Sequence, residues 1–159
     1  MKKNILGITS SRADYDLQKE IFKKITLDNN YNFNLIITGN HSIKKHGFSL
    51  QKIKKDRFFN NYINIKFPNK LEISNYFLVT QYQKEIYKKI KAINPKAVIL
   101  LGDRIEILLF SLVCNLLNIK IFHISGGETT LGSKDDIYRD CITRLSDFHF
   151  VSHLNFKKR

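Results

Sequence analysis

What this 159-residue chain lacks removes several classes of protein. Its longest apolar run, residues 105–113, is about half of the roughly 18 residues that a membrane-spanning helix needs, and Glu106 and Ser111 interrupt it. No membrane partner is expected. The opening MKKNILGITSSR starts basic but carries only a short apolar segment and no small-residue cleavage site, so a secretory signal is not expected and a cytoplasmic location follows. Only two cysteines occur, Cys114 and Cys141, both in segments that read as helical and neither in a C-x-x-C pair; they are read as buried free thiols. The G-x-G-x-x-G of dinucleotide folds and the G-x-x-x-x-G-K of P-loops are missing, so neither NAD chemistry nor ATP hydrolysis is implied. There is no G-x-S-x-G. His149 and His153 are four apart, but on a strand running into a turn, and His41 and His46 stand alone, so no metal site is expected.

Acidic residues are also scarce: 14 against 27 Lys and Arg, for a net charge of +13. That balance resembles a nucleic-acid signal. The lysines, however, are spread along the whole chain in pairs such as Lys23-Lys24 and Lys88-Lys89, mostly on polar faces of predicted helices, and no readout motif accompanies them. A solvated basic surface is the plainer reading, one that attracts an anionic small molecule. No nucleic-acid partner is expected, and a basic nucleic-acid-binding domain stays a lesser alternative.

The apolar pattern that is present alternates between two periods. Residues 3–9, 32–38, 62–67, 97–101, 119–124 and 148–151 read as strands. Residues 15–27, 73–93, 103–117 and 135–145 read as helices, with Leu17, Ile21 and Ile25 on one face of the first and a further short helix near 49–54. Pro95 closes the helix before it, because the residue preceding proline resists the α conformation. Strand and helix alternate with crossovers of a dozen residues or more. This predicts a three-layer α/β domain, a Rossmann-like parallel sheet covered by helices on both faces. The length suits one such domain, residues 1–159, with no repeat and no linker.

Residues 97–143 carry most of the chemistry. Two buried strands each run into a polar loop that feeds a helix, and open α/β sheets bind ligands at such strand ends. In Gly102-Asp103-Arg104-Ile105-Glu106, Asp103 can N-cap the helix and Glu106 complete a capping box, or a carboxylate there can handle protons or hydroxyls of a bound sugar. His123 is either a hydrogen-bonded core residue or a ligand at the strand end. Glu128, beyond Gly126-Gly127, is placed as a general acid or base. Ser133 can cap the helix that Asp135 and Asp136 open, and Arg139, one turn on, can pair with either aspartate or with an anion. Ser10-Ser11-Arg12-Ala13-Asp14 follows the first strand, where backbone N–H groups and Arg12 can hold an anion.

Five segments together resemble the N-terminal part of the hydrolysing UDP-N-acetylglucosamine 2-epimerases of sialic- and legionaminic-acid synthesis: ITSSRADYD (8–16), ITGNH (37–41), LGDRIEIL (101–108), HISGGETTLG (123–132) and DDIYRDCITRLSDFHFVS (135–152). The resemblance implies the first half of a glycosyltransferase type B fold, whose second Rossmann-like, nucleotide-binding domain this chain lacks. It implies elimination of a nucleoside diphosphate through a glycal, then hydration to the 2-epimer, with no cofactor. Asp103, Glu128 and Asp135 become the acid–base carboxylates. Arg12, Asp14, His41, Arg104, His123, Ser125, Asp136 and Arg139 become residues around a UDP- or GDP-linked 2-acetamido sugar. Ser125 stands where some members carry Glu and others His, and Asp140 where His usually follows Arg139. The TLGSKDD loop is consistent with a 6-deoxy-diamino sugar. The isolated chain is expected to be inactive, and a homo-oligomer is an open expectation. A non-catalytic nucleotide-sugar or anion-binding remnant is the alternative.

Overall fold

The computed structural model describes residues 1–43, 49–56, 58, 61–68, 75–130 and 132–158. His46, Leu131 and the first residues, 73–74, of the helix expected at 73–93 lie outside them. The elements follow in the order β1 (Lys3–Thr9), α1 (Arg12–Leu27), β2 (Tyr31–Ile37), α2 (Leu50–Lys55), β3 (Tyr62–Asn64), α3 (Tyr76–Ile93), β4 (Ala97–Leu101), α4 (Ile105–Leu116), β5 (Lys120–Ile124), α5 (Asp136–Leu145), β6 (Phe148–Phe150) and α6 (Leu154–Lys157). The strands form one parallel sheet in the order β3-β2-β1-β4-β5-β6. Chain direction across the sheet reverses between β1 and β4, which opens a crevice at their carboxyl ends.

Alternating side chains of each strand feed opposite faces. Leu6, Ile8, Ile36, Val98, Leu100 and Ile121 pack with Tyr82, Ile86 and Ile90 of α3, Ile107, Phe110 and Val113 of α4, and Ile142 of α5. On the other face Phe33, Leu35, Ile37 and Ile99 meet Tyr15 and Phe22 of α1 and Leu50 and Ile53 of α2. Both faces are therefore covered, and the fold is the expected Rossmann-like sheet. Among the described residues no helix is long and apolar enough to cross a membrane.

Of the three apolar residues read on one face of α1, only Ile25 packs against the core. Leu17 is 71% and Ile21 39% exposed, while Tyr15, Gln18 and Phe22 are buried. Gly7 explains the choice: a Cβ there would come within 2.6 Å of Phe33 and 2.7 Å of Phe22, so the missing side chain is the hollow that Phe22 fills. Ile21 and Ile25 instead flank an apolar groove of about 480 Å³ with Ile5, Ile99, Phe122, Ile124 and Phe150. A second correction concerns the thiols: Cys114 is buried, but Cys141 is exposed.

Candidate functional site

The polar residues named from sequence collect at the carboxyl ends of β1, β2, β4 and β5, where three clusters form.

The first cluster closes on itself. Ser11 caps α1 in a full capping box with Asp14. The Asp14 carboxylate accepts from the Ser10 N–H (3.0 Å), the Ser11 N–H (2.8 Å), the hydroxyls of Ser10 and Ser11, and that of Thr9. Two of the backbone donors of that loop, the N–H groups of Ser10 and Ser11, are thus satisfied by the chain's own carboxylate. Thr9 spends its one proton on Asp14, so His41 Nε2–H donates to Thr9 Oγ1 (2.9 Å) and His41 Nδ1 accepts from Ser49 (2.7 Å). His41 is fully buried, and burial lowers its pKa, partly opposed by Asp14. Asp14 and His41 therefore shape the β1 and β2 ends from within. Arg12 lies on the exposed surface of the first turn of α1.

Arg139 organises the second cluster. It projects from α5 almost fully buried, and its two terminal nitrogens reach different carboxylates: Nη2 bonds Asp103 at the end of β4, and Nη1 bonds Asp136 one turn back (3.2 Å). Asp136 also accepts from the Thr130 N–H (2.9 Å), which ties in the loop after β5. Glu128, on that loop, is half-buried, and its Oε1 is buried with no hydrogen-bond partner among the described residues. Asp135 is exposed at the N-cap of α5, with no side-chain cap. Of Asp103, Glu128, Asp135 and Asp136, the fold joins Asp103 and Asp136 through Arg139 and leaves Asp135 outside them.

His123 joins the loops that carry these groups. Its Nε2–H donates to the Gly102 carbonyl (2.8 Å), beside Asp103. Its Nδ1 therefore accepts from Thr143 of α5 (3.3 Å), and Thr143 in turn accepts the Gly127 N–H (3.1 Å), beside Glu128. The imidazole is a hydrogen-bonded core residue of the site rather than an open ligand. Burial pushes its pKa down to about 4, with the Gly102 carbonyl opposing. Ser125, next along, holds φ at +63°, a left-handed conformation uncommon for a residue with a side chain, and its N–H donates to Phe150 (2.8 Å).

The capping box that Asp103 and Glu106 could make at the start of α4 does not form. The N-cap is Arg104, without a side-chain cap, because Asp103 is drawn to Arg139. Glu106 is buried and takes the Arg104 Nε–H at 2.5 Å. Thr9, Ser49 and Thr143 were not singled out in sequence. Thr143 lay one turn beyond Arg139 on the same helical face, which was the available signal. Among the described residues no three His, Cys, Asp or Glu side chains are arranged to hold a metal.

A Rossmann-like domain with carboxylates and guanidinium groups gathered at its strand ends belongs to the class of ligand-binding α/β domains. The family follows from comparison: a family model described as UDP-N-acetylglucosamine 2-epimerase matches residues 23–159, and the chain belongs to that family. It is 32% identical over 158 residues to a GDP/UDP-N,N'-diacetylbacillosamine 2-epimerase (hydrolyzing) of Campylobacter jejuni, covering 99% of this chain and 41% of the relative. A UDP-N,N'-diacetylbacillosamine 2-epimerase (hydrolyzing) of Legionella pneumophila is 30% identical, with 100% and 42% covered. The fold matches the crystal structure of a Neisseria meningitidis UDP-GlcNAc 2-epimerase bound to UDP-GlcNAc, with a TM-score of 0.77 at 18% identity, over 98% of this chain and 41% of that one. The chain thus spans about two fifths of the length of these relatives. Its fold is the N-terminal half of the glycosyltransferase type B arrangement.

Proposed function

We propose that this chain forms one wall of the active site of a hydrolysing nucleotide-sugar 2-epimerase. The other wall would come from a second, nucleotide-binding domain in the part of the relatives' length that it does not span. The observation that carries the reading is the buried Arg139, which holds Asp103 and Asp136 at the strand ends beside the half-buried Glu128.

The reaction needs a base to take the C2 proton of the sugar while the C1–oxygen bond breaks and the nucleoside diphosphate leaves with the bonding pair. The glycal then takes a proton at C2 and the hydroxyl of a water at C1, the water's other proton passing to a carboxylate, which releases the 2-epimer. Carboxylates from separate strand ends suit the two proton transfers. Asp103 and Glu128 fill these roles, and Asp136, joined to Asp103 through Arg139, is better placed than the exposed Asp135 for a third. The basic surface draws the anionic substrate in. The relatives' diacetylbacillosamine specificity supports a UDP- or GDP-linked diacetamido sugar as the substrate class.

The test is release of nucleoside diphosphate from UDP-N-acetylglucosamine and UDP-N,N'-diacetylbacillosamine. The isolated chain is expected to be inactive, and robust turnover by it would refute the half-cleft reading. In a longer protein containing this chain, Asp103→Asn or Glu128→Gln is expected to cost about a hundredfold or more in rate with the fold intact. A near-normal rate would exclude that residue.

A further inference from the structure

Glu106 has no part in the chemistry above, and its spacing from Asp103 passes for a helix cap. Its surroundings point elsewhere. The side chain is 1% exposed, and Oε2 is buried with no partner among the described residues. An unpaired buried carboxylate oxygen is costly. The carboxylate lies where β1, β2 and β4 end: a Cβ on Gly39 would stand 2.6 Å from Glu106 Oε1 and 2.5 Å from the Ser10 carbonyl, at a φ of +59° that favours glycine. Three strand ends thus converge on one carboxylate, at the switch point between β1 and β4.

Oε1 accepts the Nε–H of Arg104. The Arg104 side chain is 37% exposed, and its two terminal nitrogens make no hydrogen bond among the described residues. The other guanidinium groups near the strand ends differ: Arg139 has both terminal nitrogens on carboxylates, and Arg12 has no anchoring partner among the described residues. Among the described guanidinium groups at the strand ends, Arg104 alone combines an anchored stem with a fork that has no partner among the described residues.

We propose that Glu106 is a positioning residue: it grips Arg104 by Nε and so presents the two terminal nitrogens to the diphosphate of the substrate in the β1–β4 crevice. The planar fork matches two phosphate oxygens, and fixing the stem beforehand lowers the entropy lost on binding. That the anion is a nucleoside diphosphate rests on the epimerase reading; the gripped guanidinium does not.

The two possible effects of Glu106 have opposite signs. As a bare negative charge it would repel an anion, so its removal would tighten binding. As a positioning residue it helps, so its removal weakens binding. The test is calorimetric titration of the 159-residue chain with inorganic pyrophosphate at low salt. Glu106→Leu, which removes both charge and acceptor, is expected to weaken binding about tenfold, the scale of one charge-assisted hydrogen bond. Glu106→Gln, which keeps an acceptor, should restore binding at least to the parent level. Arg104→Lys, which keeps the charge but has no Nε, should weaken it as Glu106→Leu does. Unchanged or tighter binding by Glu106→Leu would overturn the proposal. If that variant fails to fold, nitrogen-15 NMR of the parent decides: the terminal Arg104 resonances must shift on adding pyrophosphate, and resonances that stay put overturn it. If the longer protein releases no nucleoside diphosphate but this pattern appears, the epimerase reading fails and the anion device stands; the reverse result does the opposite.

Discussion

Acidification below about pH 6.5 should destabilise this domain, and His123 allows the size to be worked out. The imidazole donates from Nε2 to Gly102 and accepts at Nδ1 from Thr143, an arrangement that only the neutral ring can make. Burial brings its pKa from 6.5 down to about 4 in the folded chain. Between those values the unfolded chain binds a proton that the folded chain does not. Stability therefore rises with pH across this window. The contribution is fully present above 6.5 and is lost as pH falls through 4. The slope is about 1.4 kcal/mol per pH unit, or about 3 kcal/mol over the window.

His41, also lowered by burial, adds a slope of the same sign, so the useful measurement is a difference. Urea unfolding followed by far-ultraviolet circular dichroism at pH 7, 6 and 5 would compare the parent with His123→Asn. The variant should be about 1–3 kcal/mol less stable at pH 7, because Gly102 and the Thr143–Gly127 pair lose a partner. Its stability should then fall less steeply with pH, by about 1.4 kcal/mol per unit below pH 6. Asp56 and Asp147, which salt bridges to Lys19 and Lys120 hold below the usual carboxylate range, titrate at lower pH and cancel in the comparison. Parallel slopes for the two proteins would refute the buried neutral imidazole.

Two further outcomes are expected. Asp14→Ala should cost about 2–4 kcal/mol in urea unfolding, because it leaves the Ser11 cap but removes the acceptor for two loop N–H groups, one of them the second half of the capping box, and for three hydroxyls; a loss under 1 kcal/mol would show that the network carries little of the fold. Native chain treated with a thiol reagent should react at Cys141 alone, since Cys114 is buried and burial raises its pKa to about 12; two thiols reacting at equal rates would contradict the packing of α4.

The strands were the most legible part of the sequence. β1 and β4 have the bounds that their apolar runs indicate, because a strand buried on both faces leaves a continuous apolar signal. The inward face of α1 was not legible. Two stripes of that helix are apolar at helical spacing, and periodicity cannot rank them. The ranking came from Gly7, on a different element, whose missing Cβ admits Phe22. The site shows the same limit. The Asp136–Arg139 pair is three residues apart and could be read locally, whereas Asp103 reaches Arg139 across 36 residues and needed the sheet order to bring them together.

The two helix starts beside the crevice show how far a local pattern can be trusted. Ser11 with Asp14 and Asp103 with Glu106 share one spacing, a capping residue followed by an acid three positions on. The first pair forms its capping box; the second forms none. The difference lies in what else reaches each acid. Asp14 is surrounded by N–H and hydroxyl donors from its own loop, so the local arrangement has no cationic competitor among its hydrogen bonds. Asp103 is claimed by Arg139 from α5, and Glu106 by Arg104 beside it. Both alternatives give the carboxylate charge-assisted bonds, but a guanidinium adds a full opposite charge to its donors where a helix terminus offers only a partial one, so each acid leaves the helix terminus for its cation. The start of α4 thereby gives up its side-chain cap. In return the strand ends gain two carboxylates fixed in place, one on a buried arginine and the other beneath an arginine whose fork has no partner among the described residues.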